Sequence, residues 1–198
     1  MSITLLAPYL RVEYIYPPRK RRTREECAAL ESAGLLERNR YELIEGELIE
    51  KTEKNHHHVH SLELVRGWLR EVFSPPVVIP GPMIEVSSED MPSNEPEPDV
   101  IVLSRPAREP FSRVQPEDVQ LLVEVADSSV HFDMTTKAAL YAHAPIAEYW
   151  VLDISGRRLI IHMDAGHGQY RSIIAYSEEE TVSPGVKPSA RVRVSDLL

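Results

Sequence analysis

This sequence has a single cysteine, no long apolar run and no excess of positive charge. Cys27 is the only cysteine among 198 residues, which excludes an internal disulfide and a zinc site built from several cysteines. No apolar stretch is long enough for a signal peptide or a membrane span, so we expect a cytoplasmic protein without membrane contact. The formal net charge of -9 provides no general attraction to nucleic acid, and any such contact must depend on a local patch.

The length of the chain bounds its domain organisation. A chain of 198 residues buries a sufficient core as one domain, and no change in composition argues for two. Three prolines, Pro8, Pro17 and Pro18, interrupt an otherwise apolar and aromatic N-terminal stretch. We therefore predict an N-terminal arm over residues 1–22 and a single domain over residues 23–198.

The only dense basic run is Arg19–Arg24. Such a run can hold phosphates or serve a targeting receptor. Thr23 and Glu26, however, have the spacing of a capping box, which predicts a helix from Arg24 to about Ala33. This pattern favours a solvated helix start over a phosphate site.

The most informative stretch is a predicted strand followed by a predicted helix. Leu121–Ala126 is apolar except for Glu124, which indicates a strand buried on both faces. A buried carboxylate is costly unless a cation or hydrogen-bond donors compensate its charge, so we expect a metal ion or a basic partner nearby. Lys137 is the candidate partner, near the start of a helix that Asp133 is expected to cap.

A second carboxylate precedes another apolar run. The Pro-rich turn Pro96–Pro98 delivers Asp99 to the head of Val100–Leu103. If the two strands are neighbours, Asp99 and Glu124 converge. Two carboxylates beside the ammonium of Lys137 form a divalent-metal site with an adjacent cation, which is suited to activating water against a phosphodiester.

Tyr41–Glu50 has the pattern of a hairpin that turns at Gly46. Glu45 lies beside this glycine, where its side chain either points into the site as an accessory acid or faces solvent. The sequence leaves both alternatives open.

A histidine cluster precedes the next predicted helix, His58–Phe73. His56 and His60 lie one helical turn apart, a spacing that permits a shared metal ion. The cluster leads directly into the apolar stripe of the helix, so a helix start is the favoured interpretation, with His58 as the histidine of interest.

Short strands between turns account for most of the remaining sequence. Their predicted ranges are Val77–Ile79, Met83–Val86, Glu148–Asp153, Leu159–Met163, Tyr170–Ala175 and Val192–Val194. Together with the helices they predict an α/β (α+β) fold, with a mixed central sheet flanked by helices and with extra β-hairpins.

Several motifs in combination resemble one family. They are Tyr41–Glu47, Glu97–Asp99, Leu122–Val125 with Asp127–Ser129, Asp133 with Lys137, Tyr141, and Glu148–Trp150. The set is similar to the Uma2 family of endonucleases, which belongs to the PD-(D/E)xK, restriction-endonuclease-like superfamily, over roughly residues 20–198.

The resemblance implies roles for particular residues. Asp99 and Glu124, together with Val125, would bind magnesium or manganese, and Lys137 would position water or stabilise the charged transition state. The superfamily lysine usually follows the glutamate by two residues, where this chain has Ala126, so here the following helix would supply it.

Two accessory residues also follow from the resemblance. Glu45 matches a family acid, and His58 matches a histidine at the start of the helix before the sheet. With the three central residues they complete the expected catalytic set.

The expected function is cleavage of nucleic acid, DNA rather than RNA, by a metal-dependent homodimeric endonuclease. An alternative is an inactive nuclease-like module that acts in self-assembly or partner binding, as the acidic net charge and the displaced lysine suggest. A third interpretation is a buried ion network of Asp99, Glu124 and Lys137 without metal, because charge clusters occur in cores as well as in sites.

Overall fold

The computed structural model describes residues 19–51, 55–81, 83–106 and 113–198. Most of the predicted arm lies outside these residues, and the division at residue 22 stays a prediction. The helices are α1 (Arg24–Ser32), α2 (His56–Phe73), α3 (Val130–Phe132) and α4 (Ala138–His143). The strands are β1 (Tyr41–Ile44), β2 (Glu47–Glu50), β3 (Val78–Pro80), β4 (Val100–Leu103), β5 (Val119–Ala126), β6 (Glu148–Asp153), β7 (Arg158–Gly166), β8 (Gln169–Ser177), β9 (Thr181–Val182) and β10 (Val192–Arg193).

A six-stranded mixed sheet forms the centre of the molecule, in the order β3-β4-β5-β6-β7-β8. Its strands pair antiparallel except β5 and β6, which are parallel and are joined by the helical segment 130–143. Two small hairpins, β1-β2 and β9-β10, lie outside this sheet. The predicted mixed sheet with flanking helices and extra hairpins is confirmed.

Apolar side chains on both faces of the sheet form the core. Helix α2 packs Leu62, Val65 and Leu69 against one face, and the segment 130–143 packs Leu140 and Tyr141 against the other. Strands β4, β5 and β6 are therefore buried on both sides. This explains why their sequences are continuous apolar runs rather than alternating ones.

The two local N-terminal predictions are confirmed. Thr23 and Glu26 form the capping box of α1. The β1-β2 hairpin has a two-residue loop, in which Glu45 and Gly46 have φ of 50° and 77°. Positive φ at both positions is the pattern of the turn that best matches the twist of a tight hairpin.

The helical segment 130–143 differs from its prediction in how it starts. Asp133 has helical dihedral angles and therefore cannot cap the helix, because a capping residue is extended. Its carboxylate instead accepts a hydrogen bond from Ser129 Oγ at 2.6 Å. A π-helical turn, Asp133–Lys137, lies between α3 and α4.

The predicted strand Met83–Val86 is wrong. The main chain there pairs with two different segments, since Ile84 donates to Pro96 and Glu85 donates to Val114. Only the isolated bridge between Ile84 and Val114 results.

Among the described residues, no helix combines the length and apolarity needed to cross a membrane.

Candidate active site

Strand register brings the two predicted acids together. Val100 of β4 lies opposite Val123 of β5, so the next position back, Asp99, lies beside Glu124. Two hydrogen bonds fix the pair: the Asp99 amide donates to Glu124 Oε2 at 3.2 Å, and the Val125 amide donates to Asp99 Oδ2 at 3.0 Å. Carboxylates that are far apart in sequence thus share one end of the β4-β5 pair.

Glu124 is buried, with 4% of its surface exposed. Besides the Asp99 amide, its carboxylate accepts hydrogen bonds from Lys137 Nζ at 2.9 Å and from Tyr141 Oη at 3.1 Å, both on Oε1. The predicted basic partner is therefore in contact with Glu124, and Tyr141 adds a second donor.

The ammonium of Lys137 lies among three carboxylates. Its Nζ is 2.9 Å from Glu124 Oε1, 3.0 Å from Glu42 Oε2 and 3.9 Å from Asp133 Oδ1. The π-helical turn positions this side chain, because Lys137 is the last residue of that turn. Such π turns are frequent at functional sites.

Burial and charge shift the protonation equilibria of this cluster. Burial raises the pKa of Glu124 well above its ordinary range, and the neighbouring acids add to the shift. Burial also raises the pKa of Asp133. Burial alone would lower the pKa of Lys137, but the surrounding carboxylates outweigh it and hold that pKa above its ordinary value. The lysine therefore stays charged, while Glu124 and Asp133 take up a proton more readily than free carboxyl groups do.

His58 borders the same acids from helix α2. Its Nε2 is 3.5 Å from Asp99 Oδ2, and its Nδ1 is buried without a hydrogen-bond partner among the described residues. Asn55 caps α2 by accepting a hydrogen bond from the His58 amide at 2.9 Å. The helix start predicted for the histidine cluster is thus confirmed, at His56.

Glu45 does not join the other predicted residues. Its side chain is 61% exposed at the hairpin turn, and its carboxylate lies 3.9 Å from Arg21. Glu42 of β1 contacts Lys137 instead and is only 14% exposed. The sequence feature that could have indicated Glu42 is the two-residue period of β1. It puts the Glu42 side chain on the same face as the buried Ile44.

Val125 has a hydrocarbon side chain, so only its main-chain oxygen is a potential metal ligand. Its side chain packs in the core cluster of the α2 face, and its amide is used by Asp99. The structure thus places Val125 beside the acids.

A cleft of about 540 Å³ opens onto these groups. Asp99, Glu124, Lys137, His58 and Val125 all line it, and Glu45 does not. Seven acidic residues and two lysines contribute to its wall: Glu42, Glu50, Glu97, Asp99, Glu124, Asp127 and Asp133, with Lys51 and Lys137.

The donor set of the cleft fits a hard divalent cation. Mg²⁺ commonly uses one or two protein carboxylates and completes its coordination with water and substrate phosphate. Asp99 and Glu124 supply two adjacent carboxylates. Within the described residues, no three His, Cys, Asp or Glu side chains are grouped closely enough to hold an ion by themselves.

Comparisons with known proteins identify the family of the chain and its fold. The Uma2 family model, described as "Putative restriction endonuclease", matches residues 24–194. A crystal structure described as "a putative nuclease belonging to DUF820", from Anabaena variabilis ATCC 29413, is similar with a TM-score of 0.64 and 14% sequence identity. The alignment covers 88% of this chain and 96% of that chain, and at this identity it shows the shared fold alone.

No curated protein matches the chain. The family match nevertheless extends over most of the 198 residues and includes every residue of the cleft. The chain therefore belongs to the Uma2 family of restriction-endonuclease-like proteins, as its sequence motifs predicted.

Proposed function

We propose that the protein is a metal-dependent endonuclease that hydrolyses phosphodiester bonds of nucleic acid at the cleft. The convergence of Asp99, Glu124 and Lys137 in one cleft carries this proposal. The family and the fold support a nuclease-like function independently.

Asp99 and Glu124, with the main-chain oxygen of Val125, would hold Mg²⁺ or Mn²⁺. The bound ion would lower the pKa of a water molecule and place positive charge opposite the phosphate oxygens. The acidic wall of the cleft repels phosphate unless a cation is present, so metal binding and substrate binding are coupled.

Other side chains of the cleft stabilise charge on the phosphate and orient the two carboxylates. Lys137 stays protonated among its carboxylates, so it stabilises negative charge on the phosphate rather than acting as a base. Tyr141 and Lys137 fix the orientation of Glu124, and His58 does the same for Asp99.

The proposal also covers the substrate and the oligomeric state of the protein. We propose DNA rather than RNA as substrate, and a homodimer as the working form. The cytoplasm is the proposed location, since a single buried cysteine suits a reducing compartment.

A cleavage assay with purified protein tests the proposal. Plasmid DNA and a single-stranded RNA are incubated with Mg²⁺ or Mn²⁺ and wild-type protein, Asp99→Asn or Glu124→Gln. Both substitutions keep the side-chain shape and remove a carboxylate, so we expect each to abolish metal-dependent cleavage.

The matched control is Glu63→Gln on the exposed side of α2, which lies outside the cleft wall and should cleave like the wild type. Robust cleavage by Asp99→Asn or Glu124→Gln would exclude this site.

A second candidate function is an inactive nuclease-like module. The observation that favours it is the engagement of Lys137, whose ammonium lies within 3.0 Å of both Glu42 and Glu124 in a buried ion network. Absence of cleavage of any nucleic acid, together with absence of manganese binding at millimolar concentration, would favour this candidate.

A further inference from the structure

The outer edge of β8 is unpaired in the part of the chain that the structure describes. This strand has nine residues and ends the central sheet. Its free N–H and C=O groups form a template on which a strand of another molecule can pair. The opposite edge, β3, has three residues and ends at Pro80, so it is a poor template.

The side chains of β8 leave this edge unprotected. Ile173 and Ile174 are 55% and 41% exposed, and because successive residues of a strand point to opposite faces, each face carries one of them. Arg171 is the only charged residue of the strand, and it is paired with Asp164 at 2.6 Å. The charges and prolines that usually guard an edge strand are thus almost absent from β8.

We propose that β8 pairs antiparallel with β8 of a second copy of this chain, about a two-fold axis at Ile173. The two six-stranded sheets then form one continuous sheet. This register pairs all nine residues of the strand and places Ile173 opposite Ile173 of the other copy. Ile174 comes diagonally next to its own counterpart on the other face, within the range of cross-strand contacts.

This register keeps the charged side chains of the two β8 strands apart. Arg171 lies opposite Ala175, so the two arginines are separated by four residues along the strands, or about 14 Å at about 3.4 Å per residue. That distance exceeds the Debye length of about 8 Å at physiological ionic strength. A register centred on Arg171 would instead oppose the two guanidinium groups.

The proposed interface is separate from the cleft. Strands β6 and β7 lie between β8 and β5, so pairing through β8 leaves the cleft open. The interface and the hydrolysis can therefore fail independently: a monomer that cleaves DNA refutes the interface and the homodimeric working form but leaves the proposed hydrolysis standing.

Multi-angle light scattering of the full chain at micromolar concentration tests the assembly. We expect twice the 22.5 kDa chain mass for wild-type protein and the chain mass for Ile173→Lys. The control is Leu35→Lys, which changes an exposed apolar residue outside the sheet and should keep the dimer. A monomeric wild type, or a dimeric Ile173→Lys variant, would overturn the proposal.

Oxidative cross-linking tests the register and disturbs the apolar edge less than Ile173→Lys does. Ile173→Cys places two cysteines on opposed residues, whose Cα atoms are about 4.5–5.5 Å apart, within disulfide range. Arg171→Cys places them about 14 Å apart, and native Cys27 is buried. We expect a disulfide-linked dimer only for Ile173→Cys, and equal cross-linking of both variants would overturn this register.

Discussion

Glu124 and Lys137 are charged residues in a layer that is otherwise apolar. Their side chains are each 6% exposed, between β5 and the helical segment 130–143. A buried ion pair stabilises a fold less than well-packed apolar residues of the same size often do, so stability alone is a weak reason for it. Function at the adjoining cleft explains the cluster better.

Glu42 rather than Glu45 is the accessory acid in this account. Glu42→Gln removes a carboxylate 3.0 Å from Lys137, whereas Glu45→Gln changes an exposed turn residue. We predict that Glu42→Gln lowers metal-dependent cleavage by about tenfold or more, the usual scale for groups that support metal ligands. Glu45→Gln should cleave at the wild-type rate.

Single-turnover cleavage rates measure both variants, and thermal melts confirm that both are folded. A large loss for Glu45→Gln with none for Glu42→Gln would return the role to the turn residue.

The sequence predicts which central residues meet in the cleft but not their whole surroundings. A carboxylate in an apolar strand requires compensation, which points to Glu124 and Lys137. Asp99 is indicated by the Pro-rich turn that delivers it to the head of a second apolar run. Glu42 was missed because four glutamates along one hairpin look alike until the phase of the strand is known. Tyr141 was noted only as part of a family motif, since nothing local indicates that its hydroxyl reaches Glu124.

The junction between β3 and β4 shows how an element positions the site. A methyl group added at Gly81 would overlap the main-chain oxygen of Pro98, and the Gly81 amide donates to the main-chain oxygen of Asp99 at 3.3 Å. This close approach of two backbones holds the segment from which the Asp99 side chain enters the cleft.

Gly81→Ala should therefore damage both stability and activity. We predict a loss of about 1–3 kcal/mol in the free energy of unfolding, the range for overpacking, together with reduced cleavage because Asp99 moves. Gly67→Ala is the matched control, since a methyl group at Gly67 in α2 meets nothing within 4 Å. It should stabilise the protein by about 0.5–1 kcal/mol through helix propensity.

Urea unfolding and cleavage rates measure the two variants. A Gly81→Ala protein as stable and active as the wild type would show that this contact does not position the site.

Strands were predictable from the sequence where both of their faces are buried. The strands β4, β5 and β6 were found because both faces are buried, and β7 and β8 were found but extend further than predicted. The two-residue strand β9 was missed, and Met83–Val86 was not a strand. In both cases pairing with distant segments decides the structure, and a short apolar pattern does not contain that information.

One group that links the stability of the whole molecule to pH is a histidine remote from the cleft. His162 is fully buried beside the rings of Tyr149 and Tyr170. Burial lowers the pKa of His162 below its ordinary value of 6.5. A depressed histidine pKa means that stability is full above 6.5 and falls as pH drops below it, because the unfolded chain binds the proton more readily.

His162→Phe should therefore reduce the loss of stability on acidification. We predict that the urea midpoint of wild-type protein falls more between pH 7.5 and pH 5.5, a window of about two units around the ordinary histidine pKa, than that of His162→Phe. His131→Phe, on the exposed start of the helical segment, should fall like the wild type. Parallel midpoints for wild type and His162→Phe would contradict the account.

The β4-β5 register and the π-helical turn bring distant parts of the chain to a single cleft. The central claim is that Asp99 and Glu124 together hold a divalent ion there. Titration calorimetry with Mn²⁺ tests it most directly, using wild type, Asp99→Asn, Glu124→Gln and the exposed control Glu63→Gln. We predict one ion per chain for wild type and control and no binding to the two site variants. Unchanged binding by Asp99→Asn and Glu124→Gln, or no binding by the wild type at millimolar metal, would contradict it.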